Sequence, residues 1–509
     1  MLALFSDYWR LLRAGASLAR HDVVLPGEFQ TRLPLPARLT GGALRLAGGG
    51  AKGRKGERLA KALEKLGPAY IKMGQFLATR PDVFGVEVTE DLGRLKDKLP
   101  AFAVEKAEKA LKDDFPEAPD DLFPPLDEAI AAASLAQVHR VRTTDGVKAV
   151  KILRPGVEAR LGRELRAMKR AAATIETTSR DSKRLEPVAF VETVASSMER
   201  ELDLRLEAGG ADEMRKISEK DGFYVIPEVD WARTSKRILT TDWVDGKPLT
   251  DPSALDGVDR EYIANCVTRG FLSHAIKHGV FHADMHEGNM IVTPEGKLAL
   301  VDFGIIGRIG DTESRFLAEI LWGFIQRDYT RIAEVHFEAG YVPAHQSVGD
   351  FAQALRSVGE PIHGKDASEV SMGKLLLQLF DFTHAFGMHL RPELVLLQKT
   401  MVQVEGVARA IDPNHDIWTA AKPILETWVK ERFGPAGAAR LARNQAKEIA
   451  DRLKRLPQIM DKLEAALDAP KQSPTPARFA PWWAWFGLTI ILAIIVWLAT
   501  FSIVQAFQS

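Results

Sequence analysis

The sequence predicts an α+β fold, in which helices and a small number of strands occupy separate parts of the chain. Strand-like segments are confined to residues 137–153, 237–249 and 289–304, where apolar residues alternate or form short runs between turn residues. The stretch from about residue 157 to residue 218, and most of the chain after residue 250, has the composition and apolar spacing of helices instead. A chain of 509 residues also exceeds what one ordinary domain needs, so we expect several structural units.

The composition is that of a folded globular protein, because 46% of the residues are hydrophobic and 27% are charged. Lysine plus arginine equals aspartate plus glutamate at 68 each, which argues against a nucleic-acid partner. The one cysteine, Cys266, excludes intramolecular disulfides and zinc-finger sites, and it fits a reducing compartment.

Two helices are predicted in the N-terminal part of the chain. Leucines recur at helical spacing until Gly67-Pro68 breaks the pattern. Pro68 suits the first turn of a second helix, which we expect to end at Pro81. The segment "GGGAKGRKGE" at residues 48–57 reads as a flexible basic linker, and the proline-rich segment 113–129 reads as a connector.

A β-hairpin is predicted where "QVHRVR" and "VKAVKIL" flank an Asp-Gly turn. Strand alternation places Ala149 and Lys151 on one face of the second strand, and Val150 and Ile152 on the other. A lone strand lysine would be read as a solvated side chain. Whether Lys151 has a functional role depends on the loop at residues 282–304, which comes much later in the chain.

The segment "HADMHEGNM", followed by "VDFG", carries the clearest chemistry. The pattern HxDxxxxN, then a short hairpin and DFG, is the catalytic-loop signature of protein-kinase-like enzymes and comprises His282, Asp284, Asn289 and Asp302. The oxygens of Asn289 and Asp302 are hard ligands suited to Mg²⁺ that bridges nucleotide phosphates. Asp284 lies where a carboxylate accepts a proton or orients a nucleophile, and His282 supports the loop. We therefore predict a site for ATP and Mg²⁺ in which Lys151 supplies a cation for the phosphates.

A zinc site is the competing interpretation of this segment, because His282, Asp284 and His286 would share one face of a strand. Such a site needs a further ligand, and no other His/Cys cluster in the sequence supplies one. We therefore favour phosphoryl transfer.

The C-terminus predicts a membrane span, because no charged residue follows Arg478. Residues 481–507 are predicted to form a transmembrane helix, since a helix from Trp482 to Val504 would be about 34 Å long and a hydrocarbon core is about 30 Å thick. Basic residues, among them Lys471, flank the span only on its N-terminal side, so the body of the protein should face the cytoplasm.

Three further motifs carry a resemblance to a known family. They are the alanine-rich loop of Ala131, Ala132, Ala133 and Ser134, the "KMGQ" segment with Lys72 and Gln75, and the "ELDLRLEA" segment with Glu201, Asp203 and Glu207. The loop stands where kinases place glycines that approach the phosphates. Together with the lysine strand and the catalytic loop, these motifs resemble the UbiB family of atypical kinases over roughly residues 60–420.

The resemblance implies a bilobal protein-kinase-like fold with a helical N-terminal extension that packs over the active site. Lys151 would pair with Glu207 and hold the phosphates, and Asp284 would be the catalytic aspartate. The nucleotide-binding set would be Lys151, Ala149, Ala131, Ala132, Ala133, Ser134, Lys72, Gln75, Glu201 and Asp203. The metal ligands would be Asn289 and Asp302.

The spacing of these residues adds a physical expectation. Lys72 and Gln75 are neighbours on one helix face because they are three residues apart. Asp203 and Glu207 also share a face, whereas Glu201 would point elsewhere on a straight helix.

The expected organisation follows from these assignments. It comprises residues 1–57 as N-terminal region and linker, 58–128 as helical extension, 129–246 as kinase-like N-lobe, 247–440 as kinase-like C-lobe, 441–470 as a C-terminal helix, 471–480 as linker and 481–507 as the transmembrane helix. Many bacterial members of the family resemble a form with two C-terminal spans, whereas this chain has room for one.

The function implied by the resemblance is that of a membrane-anchored, Mg²⁺-dependent ATPase that supports ubiquinone biosynthesis. It would act on or extract lipid-soluble isoprenoid intermediates, with membrane lipid, prenylated quinone precursors and quinone-biosynthesis enzymes as partners. Two alternatives stay open: a phosphotransferase acting on a protein or small molecule, and a nucleotide-binding scaffold of a lipid-enzyme complex. The expected location is the bacterial inner membrane, with the mitochondrial inner membrane as the alternative.

Overall fold

The computed structural model describes residues 53–78, 85–93, 100–117, 122–178, 186–362, 385–388 and 392–434, together with residues 10, 11, 13–18, 20, 21, 95 and 119. The chain falls into two compact units, Met1–Val429 and Lys430–Ser509. Its longer helices are α1 (Lys55–Leu66), α2 (Pro68–Leu77), α3 (Val86–Leu92), α4 (Val104–Asp114), α5 (Val157–Thr178), α6 (Pro187–Glu201), α7 (Leu204–Asp221), α8 (Arg260–Ser273), α9 (Asp311–Gln326), α10 (Tyr329–Glu338), α11 (Val348–Gly359), α12 (Pro392–Ile411) and α13 (Ile417–Phe433). The strands are β1 (Ala131–Ala132), β2 (Ala136–Thr143), β3 (Gly146–Leu153), β4 (Ile238–Asp242), β5 (Lys247–Pro248), β6 (Val280–His282), β7 (Met290–Val292), β8 (Leu298–Leu300) and β9 (Ile306–Arg308).

Within these ranges the strands form small antiparallel sheets, and the predicted α+β class is confirmed. One sheet has the order β1-β2-β3-β4, a second has the order β5-β7-β8, and β6 pairs with β9. The β2–β3 hairpin pairs Val138 with Lys151 and closes at Thr143 and Gly146, so the predicted hairpin is confirmed, but its two turn residues are Thr144 and Asp145 and Gly146 belongs to β3.

The first two helices meet at a glycine-proline junction, as predicted. Gly67 has a φ of 109°, which a residue with a Cβ rarely adopts, and Pro68 occupies the first turn of α2. Helix α1 begins at Lys55, inside the segment read as a flexible linker, so the linker prediction is wrong for its last residues. Pro81, the predicted end of α2, lies outside the described residues; α2 itself ends at Leu77.

The long helical stretch after residue 157 is divided into α5, α6 and α7 rather than being continuous. Helix α6 ends at Glu201, and Asp203 then caps α7 because its carboxylate accepts a hydrogen bond from the Arg205 backbone N–H. Helix α7 ends at Gly222 in the left-handed conformation, which is the usual glycine stop. The break between α6 and α7 changes which side chains can face the same site.

The outer face of the β1–β4 sheet is covered by α4. Val150 and Ile152 are fully buried there against Ala107 and Leu111 of α4. Burial of each such side chain contributes roughly 1.5–3 kcal/mol. The predicted alternation along β3 is therefore confirmed, and Lys151 is left on the opposite face of the sheet.

The strands β6 to β9 form the scaffold of the loop that contains "HADMHEGNM". β7 and β8 form a short hairpin, and Val225 joins β8 through a parallel bridge to Ala299. β6 and β9 pair directly, with Phe281 opposite Gly307. The start of the loop and the residues after DFG are thereby held against each other.

No helix among the described residues is long and apolar enough to cross a membrane. The predicted transmembrane helix at residues 481–507, the predicted helix at 441–470 and the linker between them all lie outside the described residues.

We predict that Gly307→Ala destabilises the protein. A Cβ on Gly307 would run into the ring of Phe281, which is fully buried and packs edge-on against Phe271 with ring centroids 5.6 Å apart. The expected loss in the free energy of unfolding is about 1–3 kcal/mol, measured by urea denaturation. Gly406→Ala is the matched control, because it sits in open space on an exposed position of α12 and should raise stability by up to about 1 kcal/mol. Equal midpoints for the two variants would contradict the assigned packing.

We predict that His274 makes the protein less stable as pH falls from 7.5 to 5.5. Burial lowers the pKa of His274 to about 4, and its Nε2 lies 3.3 Å from the Ser218 hydroxyl. Between its unfolded and folded pKa values the unfolded chain binds a proton that the folded chain does not, so stability falls with pH in that window. The expected contribution at pH 5.5 is about 1.4 kcal/mol, measured as the difference between parent and His274→Gln in urea unfolding at the two pH values. Identical pH dependence in the two proteins would refute this.

Candidate functional site

Three charged side chains from distant parts of the chain meet in the cleft below the β1–β4 sheet. The Lys151 Nζ atom of β3 lies 2.7 Å and 2.9 Å from the two carboxylate oxygens of Glu207 on α7. The same amine lies 3.4 Å from Oδ1 of Asp302, which follows β8. The side chain of Glu207 is 9% exposed and that of Asp302 is 50% exposed. Glu207 therefore binds Lys151 on its interior side, whereas Asp302 lies beside Lys151 at the cleft.

Asp302 is held in an unusual backbone conformation. Its φ is 63°, which for a non-glycine residue costs free energy and is concentrated at functional sites. The backbone around it is fixed by hydrogen bonds: the Val301 N–H donates to the Asn289 carbonyl, and the Asp302 carbonyl accepts from His282 Nε2 at 2.8 Å. Its carboxylate also accepts from the Gly304 N–H at 3.3 Å. These bonds bring Asn289 and Asp302 to the same end of the β7–β8 hairpin.

His282 supports the loop, as the sequence analysis predicts. Its Nδ1 accepts a hydrogen bond from the Asp284 N–H while its Nε2 donates to the Asp302 carbonyl, so the neutral ring uses both nitrogens. Burial lowers the pKa of His282, which keeps the ring neutral near pH 7. The ring packs edge-on against Phe303 with centroids 5.3 Å apart. Because both nitrogens bond to the backbone, His282 is not available as a zinc ligand.

Asp284 presents its carboxylate to the cleft. Its side chain is 34% exposed, and Oδ2 lies 3.6 Å from His286 Nε2. His286 is occupied in a turn, because its Nδ1 accepts from the Gly288 N–H. The Asn289 amide donates from Nδ2 to the Asp284 carbonyl at 3.1 Å, which ties the two residues together.

The charges of the cluster shift one another's pKa values. The neighbouring Lys151 ammonium lowers the pKa of Asp302 to about 2, so this carboxylate is ionised at any physiological pH. Burial alone would lower the pKa of Lys151, but the Asp302 and Glu207 carboxylates outweigh it and raise that pKa. Burial raises the pKa of Glu207 to about 7 against the opposing effect of Lys151. Asp302 is therefore the firmly anionic group of the cleft.

A second ion pair connects the N-terminal helices to this region. Lys72 Nζ of α2 lies 2.8 Å from Oε2 of Glu201, and the two side chains are 14% and 18% exposed. Glu201 and Glu207 have different partners, but the single straight helix assumed in the sequence analysis is wrong. The break at Leu202–Asp203 turns the chain, so that Glu201 ends α6 toward Lys72 while Glu207 begins α7 toward Lys151.

Asp203 takes a different place from the one predicted. Its carboxylate caps α7 and accepts from the Arg205 guanidinium at 2.6 Å. Lys72 has its ion pair with Glu201, and Gln75 lies one turn further along α2 on the same face.

The alanine-rich loop forms a tight hairpin turn rather than a long flexible loop. Ala131 pairs with Val138 across β1 and β2, and the Ala133 N–H donates to the Ala136 carbonyl. Ser134 is fully buried, so its hydroxyl is not at the surface, and its contact with the nucleotide stays a prediction. Ala131, Ala132, Ala133 and Ala149 retain exposed surface.

Two residues that sequence reasoning treated only as strand positions have specific roles. Gln137 accepts from the Phe102 N–H at 2.8 Å and donates to the Phe102 carbonyl at 3.2 Å. His139 bonds through Nδ1 to the Asp127 carbonyl at 2.8 Å. The available signal was the spacing of Gln137 and His139 two residues apart, which places both on one face of the strand; both side chains are buried and bonded to segments that precede the sheet.

The cleft fits Mg²⁺ held together with phosphates. Among the described residues no group of three or more His, Cys, Asp or Glu side chains could hold a metal ion by itself. Mg²⁺ usually takes one or two protein oxygens and completes its shell with water and phosphate oxygens. The ionised Asp302 carboxylate would supply one such oxygen and the Asn289 amide oxygen another, since the Asn289 nitrogen is already directed to Asp284.

Comparison with known proteins agrees with this geometry. Residues 94–336 match the ABC1 atypical kinase-like domain, and residues 355–416 match the UbiB helical domain. A protein named "Probable protein kinase UbiB" from Marinobacter nauticus is 35% identical over 432 residues, which cover 83% of this chain and 79% of that protein. A protein of the same name from Pseudomonas putida is 36% identical over 389 residues, which cover 75% of this chain and 72% of that protein.

A solved structure extends the comparison to the fold. The complex of Rv3197 with erythromycin, from Mycobacterium tuberculosis, is similar with a TM-score of 0.50 and 22% identity, over 76% of this chain and 98% of that one. The match to the ABC1 atypical kinase-like domain confirms the predicted kinase-like fold, and the family matches confirm the resemblance inferred from the motifs. With relatives above 30% identity that are matched over more than two thirds of their length, the chain belongs to the UbiB family of atypical kinase-like proteins.

Proposed function

We propose that this chain binds ATP with Mg²⁺ in the cleft around Lys151 and hydrolyses it in support of ubiquinone biosynthesis. The observation that carries the proposal is the convergence of Lys151, Glu207 and Asp302, because it places one fixed cation beside one ionised carboxylate at an accessible surface. Membership of the UbiB family supports the assignment to ubiquinone biosynthesis.

The side chains would have separate roles in this reaction. The Lys151 ammonium would bind nucleotide phosphates, and Glu207 would hold it in place from behind. Asp302 and Asn289 would hold Mg²⁺, which neutralises charge that develops on the phosphates. The Asp284 carboxylate would orient the attacking water or accept its proton.

The extension would act beside the same cleft. The ion pair of Lys72 with Glu201 is largely shielded from solvent and joins α2 to α6, whose successor α7 carries Glu207. A shift of α2 would therefore be transmitted to the helix that fixes Lys151. We propose that membrane attachment through residues 481–507 brings this machinery to prenylated quinone precursors at a bacterial inner membrane, where it acts on or extracts them.

A phosphotransferase is the second candidate. Asp284 is accessible and only loosely associated with His286, so it could accept a proton from a hydroxyl group as well as from water. Incubation with labelled ATP and a cell extract distinguishes the two, since only a phosphotransferase would transfer label to an acceptor.

We predict that Asp302→Asn lowers the rate of ATP hydrolysis by about 100-fold or more, because the variant removes the ionised metal ligand beside Lys151. The measurement is phosphate release by the full chain with MgATP, with and without vesicles and a prenylated phenol. Asp350→Asn, an exposed aspartate in the first turn of α11, is the control and should keep the parent rate. Undiminished turnover in Asp302→Asn would remove the catalytic assignment.

We predict that the same Asp302→Asn variant fails to restore ubiquinone in cells that lack this chain, whereas the parent and Asp350→Asn restore it. Quinone lipids are profiled by mass spectrometry after expression of each protein at matched level. Full restoration by an inactive Asp302→Asn would favour the scaffold function over ATP turnover.

We predict that exchanging the charges of Lys72 and Glu201 in a double variant restores the stability that each single charge reversal removes. Lys72→Glu and Glu201→Lys each place like charges next to each other in a partly buried position and should lower the unfolding midpoint. The double variant restores opposite charges and should show a coupling free energy of about 1 kcal/mol or more in a double-mutant cycle. Simple additivity of the two losses would show that α2 is not docked through this pair.

A further inference from the structure

The alanine-rich turn is fastened to the end of strand β3. Arg154 directly follows β3, three residues after Lys151. Its backbone N–H donates to the Leu135 carbonyl at 2.8 Å, and the Ala133 N–H donates to the Ala136 carbonyl at 2.8 Å. Main-chain bonds thus close the turn and attach it to the lysine strand.

The guanidinium of Arg154 adds a second attachment from its side chain. Nε and Nη2 donate to the Ala133 carbonyl at 3.0 Å and 2.8 Å, which is a forked contact that only arginine geometry provides. Nη2 also donates to the Pro100 carbonyl at 2.8 Å, and the group lies over the Phe102 ring at 5.6 Å. One side chain therefore joins the alanine-rich turn to residues 100–102, which lead into α4.

The direction of the Ala133 carbonyl matters for phosphate binding. A carbonyl oxygen carries partial negative charge, so a free carbonyl in this turn could face the phosphates and repel them. With Arg154 in place, that oxygen points to the guanidinium. The Gln137 side chain fixes the same neighbourhood, because it bonds to both backbone groups of Phe102.

We propose that Arg154 is a positioning residue for nucleotide phosphates: it holds the Ala133 carbonyl away from them and ties the alanine-rich turn to residues 100–102. This inference rests on the proposed binding of MgATP in the cleft. It predicts an effect that depends on the β- and γ-phosphates, because the alanine-rich turn stands where kinases place the loop that covers the phosphates.

The test compares the affinities of MgATP and AMP by calorimetry on the full chain. Arg154→Ala should weaken MgATP binding about tenfold, which corresponds to the loss of about 1.4 kcal/mol, and should change AMP binding by less than about twofold. Arg154→Lys keeps the charge but not the fork, so it should lie between the parent and Arg154→Ala. If Arg154→Ala does not fold, Arg154→Lys decides by the same criterion.

Arg237→Ala is the matched control. Arg237 binds Asp114 at the end of α4, so its loss also weakens the attachment of α4 to the sheet but leaves the turn untouched. It should leave the ratio of MgATP to AMP affinity unchanged. Equal effects of the Arg154 variants on both nucleotides, or no effect on either, would overturn the inference alone, whereas absence of MgATP binding in the parent would overturn the proposed function with it.

Discussion

The attraction between the Lys151 amine and the carboxylates of Glu207 and Asp302 is the interaction on which the site depends. The three groups come from a strand, a helix and a loop that are far apart in the chain, and each would be costly to bury alone. Their contact sets the distance between α7, β3 and the segment after β8. The strained backbone of Asp302 persists because hydrogen bonds hold it there: His282 donates to its carbonyl, and the Val301 N–H donates to the Asn289 carbonyl.

The break between α6 and α7 allows one stretch of chain to serve two ion pairs. Glu201 ends α6 and faces Lys72, whereas Glu207 lies buried in the first turn of the next helix and faces Lys151. The two helices share a junction of two residues, so the ion pair of Lys72 joins the N-terminal extension to the helix pair that carries Glu207.

The alanine-rich turn provides a second connection between the extension and the cleft, through a hydrogen-bonded guanidinium instead of an ion pair. Arg154 and Gln137 bind backbone groups of the extension, and such bonds fix direction as well as distance. Glycine would permit a looser turn here, whereas alanine restricts the backbone. Both connections act near the C-terminal end of β3, one through Lys151 and the other through Arg154.

The sequence by itself determined the fold class, the β2–β3 hairpin and the glycine-proline junction, because these depend on local periodicity and turn chemistry. It also singled out Lys151, Asp284, Asn289 and Asp302 as candidate site residues from their fixed spacing. Tertiary structure decided which side chains contact each other. Glu201 reaches Lys72 only because the chain bends at Leu202–Asp203, Asp203 becomes a helix cap, and Ser134 turns into the interior. Arg154 follows a strand as an ordinary polar residue, and only the packing of residues 100–102 beside it gives it partners. Spacing specifies which residues can share an element, whereas contacts between elements depend on bends and packing that no local pattern encodes.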